Sequence, residues 1–403
     1  MVQKNILVLT SIYPGNGLPS TYTWVVHYLA HEWVKLGFNV KVIHSCTYFP
    51  NVYYKVPQSI KNLVSKIVGF TIPSVPKKDI EHYFLDDVEV YRLPILKKFP
   101  MGAYSREALD TQVSRIEEIL EKDKFIPDAI VSHWVNPQLY LSAILKNKHN
   151  SITSMVIHER IKHFKLLPGY RNLIKSIDCW GYRSLFNKTE FESVLKIYPR
   201  WFRCYSGIPS EFISAFPKRN FKSSDRVIFV GQLLPRKYPD VIIKAAKAVY
   251  KDNYYRIRII GDGPMQKDLT KLTRALGVCD KVKLLGRLER NEIIKNLDDS
   301  DIFIMVSRGE VFGLVYLEAM ARKCIVIASK GEGMEGIIND GENGFLCSAG
   351  NEKELSEILS KIRSLSPAER QRIAENGYET ALKLTDREVA KSYIETVFSH
   401  QNK

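Results

Sequence analysis

Two glutamates eight positions apart, Glu310 and Glu318, carry the most suggestive chemistry in this 403-residue sequence. They lie in Ser307-Arg308-Gly309-Glu310-Val311-Phe312-Gly313-Leu314-Val315-Tyr316-Leu317-Glu318-Ala319-Met320-Ala321, which follows an apolar strand and opens a helix. A loop carboxylate at Glu310 can accept hydrogen bonds from sugar hydroxyls. Phe312, Gly313 and Leu314 would present backbone N–H groups at a helix N-terminus, where the helix dipole favours an anion. Glu318, two turns into the helix, is flanked by Leu314, Val315, Leu317 and Met320. A carboxylate on so apolar a face needs donors, and ribose hydroxyls would supply them. A capping carboxylate beside an unrelated glutamate is the plainer account of the pair.

Three further segments stand at strand ends. Val230-Gly231-Gln232-Leu233-Leu234-Pro235-Arg236-Lys237 places two cations ahead of a helix, which suits a diphosphate, although solvated surface charge reads the same way. Ile260-Gly261-Asp262-Gly263-Pro264 has glycines that permit close approach of a ligand, or form an ordinary loop. Tyr13-Pro14-Gly15-Asn16-Gly17-Leu18-Pro19-Ser20 could offer N–H groups to a phosphate, or make a tight turn. It lacks the G-x-G-x-x-G spacing of dinucleotide folds, so hydride chemistry has no fingerprint. No D-x-D occupies a strand-end loop, Asp86-Asp87 precedes a strand and reads as a turn, and no metal ligands or nucleophile are evident.

The elements that would position these residues alternate short apolar strands with helices in both halves, the pattern of parallel sheets covered on both faces. Strands are expected at Asn5–Thr10, Asn39–His44, Val88–Leu93, Ala129–His133 and Ser154–His158, then at Val227–Val230, Arg256–Ile260, Val282–Leu285, Ile302–Val306, Ile325–Ala328 and Gly344–Cys347. Trp24, Tyr28, Leu29 and Trp33 recur at helical spacing, and Gly37 suits the end of that helix. The rhythm breaks over 159–205, a basic, aromatic stretch that reads as mostly helical. Two doubly wound, Rossmann-like domains are expected, 1–206 and 207–385, facing a central cleft, with a C-terminal helix over 386–403 packing back on the first. Ligands of such sheets bind at the carboxyl ends of the strands.

Composition excludes several classes. Hydrophobic residues at 45%, charged at 26% and aromatic at 11% describe a globular chain. No apolar run approaches the roughly 18 residues of a membrane-spanning helix. The first residues lead into a strand without the regions of a signal peptide, and the six cysteines are scattered without a C-x-x-C pair. A cytoplasmic protein with reduced thiols is expected. Lys and Arg number 59 against 44 Asp and Glu, a net +15. That surplus attracts phosphates, or belongs to a solvated lysine-rich surface. No basic run reaches five residues and no nucleic-acid module is recognised, so nucleic acid is not expected as a partner. Ile60, Leu63, Val64, Ile67 and Val68 form a helical stripe within Pro50–Lys78, which could rest on an anionic membrane surface or pack on its own domain.

The E-x-F-G-L…E-A-M-A arrangement of Glu310 to Ala321 resembles the retaining glycosyltransferases of family four, which have the GT-B fold and an E-x(7)-E signature. The resemblance extends over Ile228–Leu346 and, more loosely, over the amino half. It includes Gly261–Pro264, Gly331-Glu332-Gly333-Met334-Glu335-Gly336, Asp340-Gly341-Glu342-Asn343-Gly344, Ser132-His133-Trp134 and His158. It implies that Glu310 holds donor-sugar hydroxyls, that Phe312, Gly313 and Leu314 contact sugar and phosphate through their backbones, and that Glu318 binds ribose. Lys237 would neutralise the leaving diphosphate, Gly17 and Gly263 would let loops approach the donor, and His158 would sit beside the transferred sugar. Glu310, His158 and Lys237 form the implied catalytic set. Gln232 replaces the family's usual arginine, with Arg236 as the candidate substitute; Tyr238 replaces a usual glycine and Glu159 follows His158 atypically.

The expected activity is metal-independent, cofactor-free transfer of a sugar from a nucleoside-diphosphate donor, UDP before GDP. The expected acceptor is a hydroxyl of a lipid-linked glycan in surface polysaccharide assembly, at the inner face of the membrane. The alternatives are a non-catalytic GT-B partner that binds glycan or a sibling transferase, and a sugar-nucleotide epimerase on the same architecture.

Overall fold

The computed structural model describes residues 3–15, 23–57, 78–100, 102–158, 169–213, 219, 221–251 and 253–399. Gly17, Glu159 and the Ile60-to-Val68 stripe lie outside them. The chain divides into two compact units, one reaching Cys204 without Ser184–Phe186 and resuming at Val389, the other formed by Ser184–Phe186 and Tyr205–Glu388.

The first unit is built on eight strands: β1 (Asn5–Thr10), β2 (Asn39–Tyr48), β3 (Glu81–Leu85), β4 (Val88–Leu96), β5 (Ala129–His133), β6 (Ile152–Ile157), β7 (Cys179–Tyr182) and β8 (Trp201–Arg203). Their spatial order is β3-β4-β2-β1-β5-β6-β7-β8, parallel except for β3. The order reverses between β1 and β5, the switch point where sheets of this class open a ligand crevice. β1, β5 and β6 are buried almost throughout, as expected of strands covered on both faces. Asp86 and Asp87, both at positive φ, make the two-residue turn joining β3 to β4.

β7 and β8 correct the expectation that 159–205 is mostly helical. Cys-Trp-Gly-Tyr in β7 is buried at every position, so it shows neither strand alternation nor length. Helices Tyr170–Ser176 and Leu185–Leu195 supply the aromatic, basic spacing that masks it. The last helix, Asp386–Ser399, adds Tyr393 to this core: its hydroxyl meets Ser154 Oγ at 3.0 Å, and Trp33 Nε1 donates to Ala390 O at 2.8 Å.

The second unit is an all-parallel sheet of β9 (Arg226–Val230), β10 (Arg256–Ile260), β11 (Val282–Gly286), β12 (Ile302–Ile304), β13 (Ile325–Ser329) and β14 (Phe345–Cys347), in the order β11-β10-β9-β12-β13-β14. Its switch point lies between β9 and β12. The segments leaving those two strands contain Arg236 and Lys237 on one side and Glu310 on the other. Helix Leu314–Ala321 buries Tyr316, Leu317 and Ala319 to Ala321 against the sheet. Arg322 locks its far end: 1% exposed, the guanidinium bonds Asp298 through Nε at 2.6 Å and Nη2 at 2.8 Å. The helix that bears Glu318 therefore has a fixed position relative to β12. Among the described residues no helix is long and apolar enough to cross a membrane.

Candidate active site

The loops after β9 and β10 pack backbone to backbone. Leu233 N donates to Asp262 O at 2.7 Å, and Met265 N donates to Leu233 O at 3.1 Å. A Cβ on Gly263 would stand 2.6 Å from Leu233 O, so this glycine is required by the neighbouring loop. A ligand contact at Gly263 rests on the resemblance alone. Pro235–Lys237 then forms a 3-10 turn that ends at Tyr238, whose φ of 50° and ψ of 46° are the left-handed values a glycine adopts readily. A tyrosine there carries strain of about 1 kcal/mol or more. Its ring fills the space beside Gly350, where a Cβ would approach ring atoms to 2.7 Å. The departure from the family's glycine is accommodated by a second glycine 112 positions later.

This turn aims two cations at one oxygen. Lys237 Nζ lies 3.5 Å and Arg236 Nη1 3.7 Å from Glu310 Oε2. Lys237 also contacts Met305 Sδ at 3.5 Å, and the backbones of Arg236 and Arg308 are joined at 2.7 Å. Arg236 thus stands with Lys237 beside the carboxylate of Glu310. Glu310 Oε2 is buried and accepts no hydrogen bond. What fixes Glu310 is its backbone. Glu332 accepts from Gly309 N at 2.9 Å and from Glu310 N at 2.8 Å, gripping the loop through both carboxylate oxygens. Sequence reasoning quoted Glu332 inside a family element without giving it a role; its signal was an acid between two glycines past β13.

Phe312 is buried and stacks on Tyr205, with ring centroids 5.5 Å apart, so its side chain is structural and its backbone is what remains for a ligand. Gly313 has φ of 80°, and a Cβ would come within 2.6 Å of the Tyr316 ring and 3.2 Å of Glu310 Cγ. Only glycine lets the loop enter helix Leu314–Ala321 at that angle. Glu318 is partly exposed, and among the described residues nothing donates a hydrogen bond to its carboxylate. Desolvation pushes its pKa up to about 7, against a smaller lowering by Arg290; Asp386 raises it further. A carboxylate held in this state is relieved by any ligand that offers hydroxyl donors.

In the first unit, residues at the ends of β5, β6 and β7 form a chain. His133 Nδ1 and His158 Nε2 are 2.9 Å apart, and Arg183 Nη1 is 3.3 Å from His158 Nδ1. A guanidinium only donates, so His158 Nδ1 is an acceptor and its proton resides on Nε2. That proton is donated to His133 Nδ1, which leaves His133 protonated on Nε2. Burial, reinforced by Arg183, pushes His133 down to about 3; the same causes and the neighbouring His133 hold His158 well below the usual histidine range. Trp134 stacks on the His158 ring at 4.2 Å and 18°. Both nitrogens of His158 are therefore committed to protein, and the ring is in no position to shuttle a proton. Arg183 and the His133 contact escaped the sequence reading because each joins positions 25 residues apart.

Two measurements check these electrostatics. In protein labelled with 15N-histidine, His158 should keep the neutral Nε2–H pattern from about pH 8 to about pH 5.5, whereas convergence on the imidazolium pattern near the ordinary histidine pKa of about 6.5 would overturn the assignment. The folded-state pKa of Glu318 is raised above the 4.5 of the free side chain, so its contribution to stability is intact below 4.5 and lost as pH rises through about 7. Glu318→Gln should therefore match the wild type near pH 4.5 and gain, on the order of 2–3 kcal/mol, above pH 7 in urea denaturation. A pH-independent difference would show that Glu318 titrates normally.

Residues 212–380 match the family model for glycosyl transferases group 1. An uncharacterized glycosyltransferase of Methanocaldococcus jannaschii is 27% identical over 349 residues, covering 83% of this chain and 93% of the relative. The GDP-mannose-dependent monoacylated alpha-(1-6)-phosphatidylinositol monomannoside mannosyltransferase of Corynebacterium glutamicum is 30% identical over 221 residues, 49% of this chain and 57% of its own length. Among solved structures, HepE of Anabaena in complex with UDP superimposes with a TM-score of 0.67 at 19% identity, covering 98% of this chain and 100% of that one. Over residues 212–380 the chain is similar to the group 1 glycosyl transferases, and it has the GT-B fold of its solved structural neighbours.

Proposed function

We propose that this glycosyltransferase moves a sugar from a nucleoside-diphosphate donor, UDP in preference to GDP, to a hydroxyl of a lipid-linked glycan, with retention of anomeric configuration and without a metal ion. The observation that supports the reading is Glu310 Oε2, buried without a hydrogen bond while Lys237 and Arg236 stand 3.5 and 3.7 Å away. One carboxylate and two cations at a helix entrance match a ligand that carries hydroxyl donors next to phosphate oxygens. Glu310 takes the sugar hydroxyls. Lys237 and Arg236 then turn to the diphosphate, aided by the N–H groups of Phe312, Gly313 and Leu314. Glu318 receives the ribose hydroxyls that its apolar surroundings lack.

In the reaction the bond from C1 to the diphosphate oxygen breaks, with its electron pair left on that oxygen. The acceptor hydroxyl bonds to C1 from the same face, and its proton passes to the departing phosphate oxygen. No protein base is required. Rate comes from stabilising charge on the leaving group, the work of Lys237 and Arg236. UDP is preferred on the structural neighbour's complex, and the mannosyltransferase relative makes GDP the comparison; that relative's lipid-borne acceptor and the surplus of Lys and Arg support a lipid-linked one.

Calorimetry and turnover test the assignments together. Lys237→Ala should weaken UDP about ten- to hundredfold, as expected for loss of a charge-assisted hydrogen bond. Glu310→Gln should retain UDP affinity and lose most donor turnover. Near-wild-type turnover in Glu310→Gln, or unchanged UDP affinity in Lys237→Ala, would refute the site.

A further inference from the structure

A second concentration of positive charge lies in the first unit at the opposite end of the sheet from His133 and Arg183. Ile177 and Asp178 precede β7 and Lys196 to Arg200 precede β8, so they mark the amino ends of these strands. Four residues of strand, roughly 13 Å, separate this edge from the carboxyl edge. A groove of about 580 Å³ opens there. Its floor is apolar, made by the buried side chains of Ile174, Ile177 and Ile197. Its rim carries Arg171 and Lys175 from helix Tyr170–Ser176, and Lys196 and Arg200 from the segment entering β8.

These four cations lack the counter-charge that others in the unit have. Lys35, Lys41, Arg92, Arg106, Lys146 and Lys188 each meet a carboxylate. The groove's own acid, Asp178, is already saturated. Its Oδ1 accepts from Lys146 Nζ at 2.6 Å, and its Oδ2 from Thr153 N and Oγ1 at 2.8 Å each. Among the described residues no carboxylate lies within ion-pair distance of Arg171, Lys175, Lys196 or Arg200. Like charges gathered without a counter-ion make a local positive potential that an anion relieves. The same stretch also holds three of the unit's exposed large apolar side chains, Val194 (59%), Tyr198 (72%) and Trp201 (39%). A free phosphate gives those side chains no reason to face water. A bilayer surface does, because aromatic rings favour the headgroup layer and basic side chains favour anionic lipid.

We propose that this groove seats the phosphate headgroup of an anionic membrane lipid, with Val194, Tyr198 and Trp201 entering the interfacial layer around it. The inference deepens the lipid-linked acceptor reading by naming the surface that meets the membrane, but it does not draw on the donor site. Co-sedimentation with phosphatidylcholine vesicles, with and without phosphatidylglycerol, tests it on the full chain. Binding is expected only with phosphatidylglycerol. The exposed quadruple variant Arg171→Gln, Lys175→Gln, Lys196→Gln, Arg200→Gln should lower the partition coefficient at least about tenfold. A control with the same charge loss in the second unit, Lys267→Gln, Lys271→Gln, Arg274→Gln, Lys353→Gln, should keep most of it. Tyr198→Ser should weaken binding without any change in charge. No vesicle binding by the wild type, or equal losses in both quadruple variants, overturns the proposal. So does saturable binding of tripolyphosphate, lost in the groove variant, in a protein that ignores vesicles. UDP calorimetry on the same samples reports the donor site separately: absent UDP binding with vesicle binding retained would count against the transferase reading and leave the groove standing.

Discussion

Glu310 is held by its backbone and not by its carboxylate, and the arrangement of the second unit follows from that. The grip of Glu332 on two successive N–H groups fixes the loop without using the functional side chain. Among the described residues the carboxylate oxygen then pairs with Lys237 and Arg236, at distances too long for strong hydrogen bonds. A tighter ion pair would hold the loop as well, but a ligand would have to break it before binding. A buried oxygen without a donor is costly, and the cost falls when hydroxyl groups arrive. Glu318 repeats the principle with a different environment, since its desolvated carboxylate also waits for donors. Both acids lack donors among the described residues, and each is positioned by contacts elsewhere: Glu332 for one, the Arg322–Asp298 bridge for the other.

Much of this was legible in the residues, for identifiable reasons. β1, β5 and β10 matched the expected bounds because continuous apolar runs between turn residues have few other folds open to them. The alternation of strands and helices put Glu310, Lys237 and His133 at or just past strand ends, while the positions of the two switch points came from the strand order. β7 and β8 were missed because strands of four and three residues fall below the length at which period is readable. β3 was missed because Glu81–Leu85 is an edge strand whose partner on one side only leaves it half exposed. Within the site, residue types were legible but their mutual contacts were not. Glu332 acts through backbone N–H groups, which have no side-chain signature, and Arg183 reaches His158 across adjacent parallel strands. At Gly263 the sequence suggested room for a ligand, and the structure shows a further demand for glycine from the backbone of Leu233.

The histidine chain shows how geometry narrows what a residue type could do. A histidine beside a reacting sugar suggests acid–base work, since it is the side chain whose charge changes most easily near neutrality. Here a permanent donor on one nitrogen and a second imidazole on the other remove that option. The result is a flat imidazole face stacked on Trp134, with both ring nitrogens held by neighbouring side chains.

The left-handed tyrosine after Lys237 has an evolutionary corollary. Because the ring of Tyr238 fills the place that a side chain on residue 350 would need, the two positions constrain each other. A descendant that gains bulk at 350 must first surrender the aromatic ring, and one that restores glycine at 238 frees 350 to drift. These two sites, far apart along the polypeptide, should therefore show correlated replacement among orthologues, with the lysine between β9 and its helix as the residue whose placement they jointly protect.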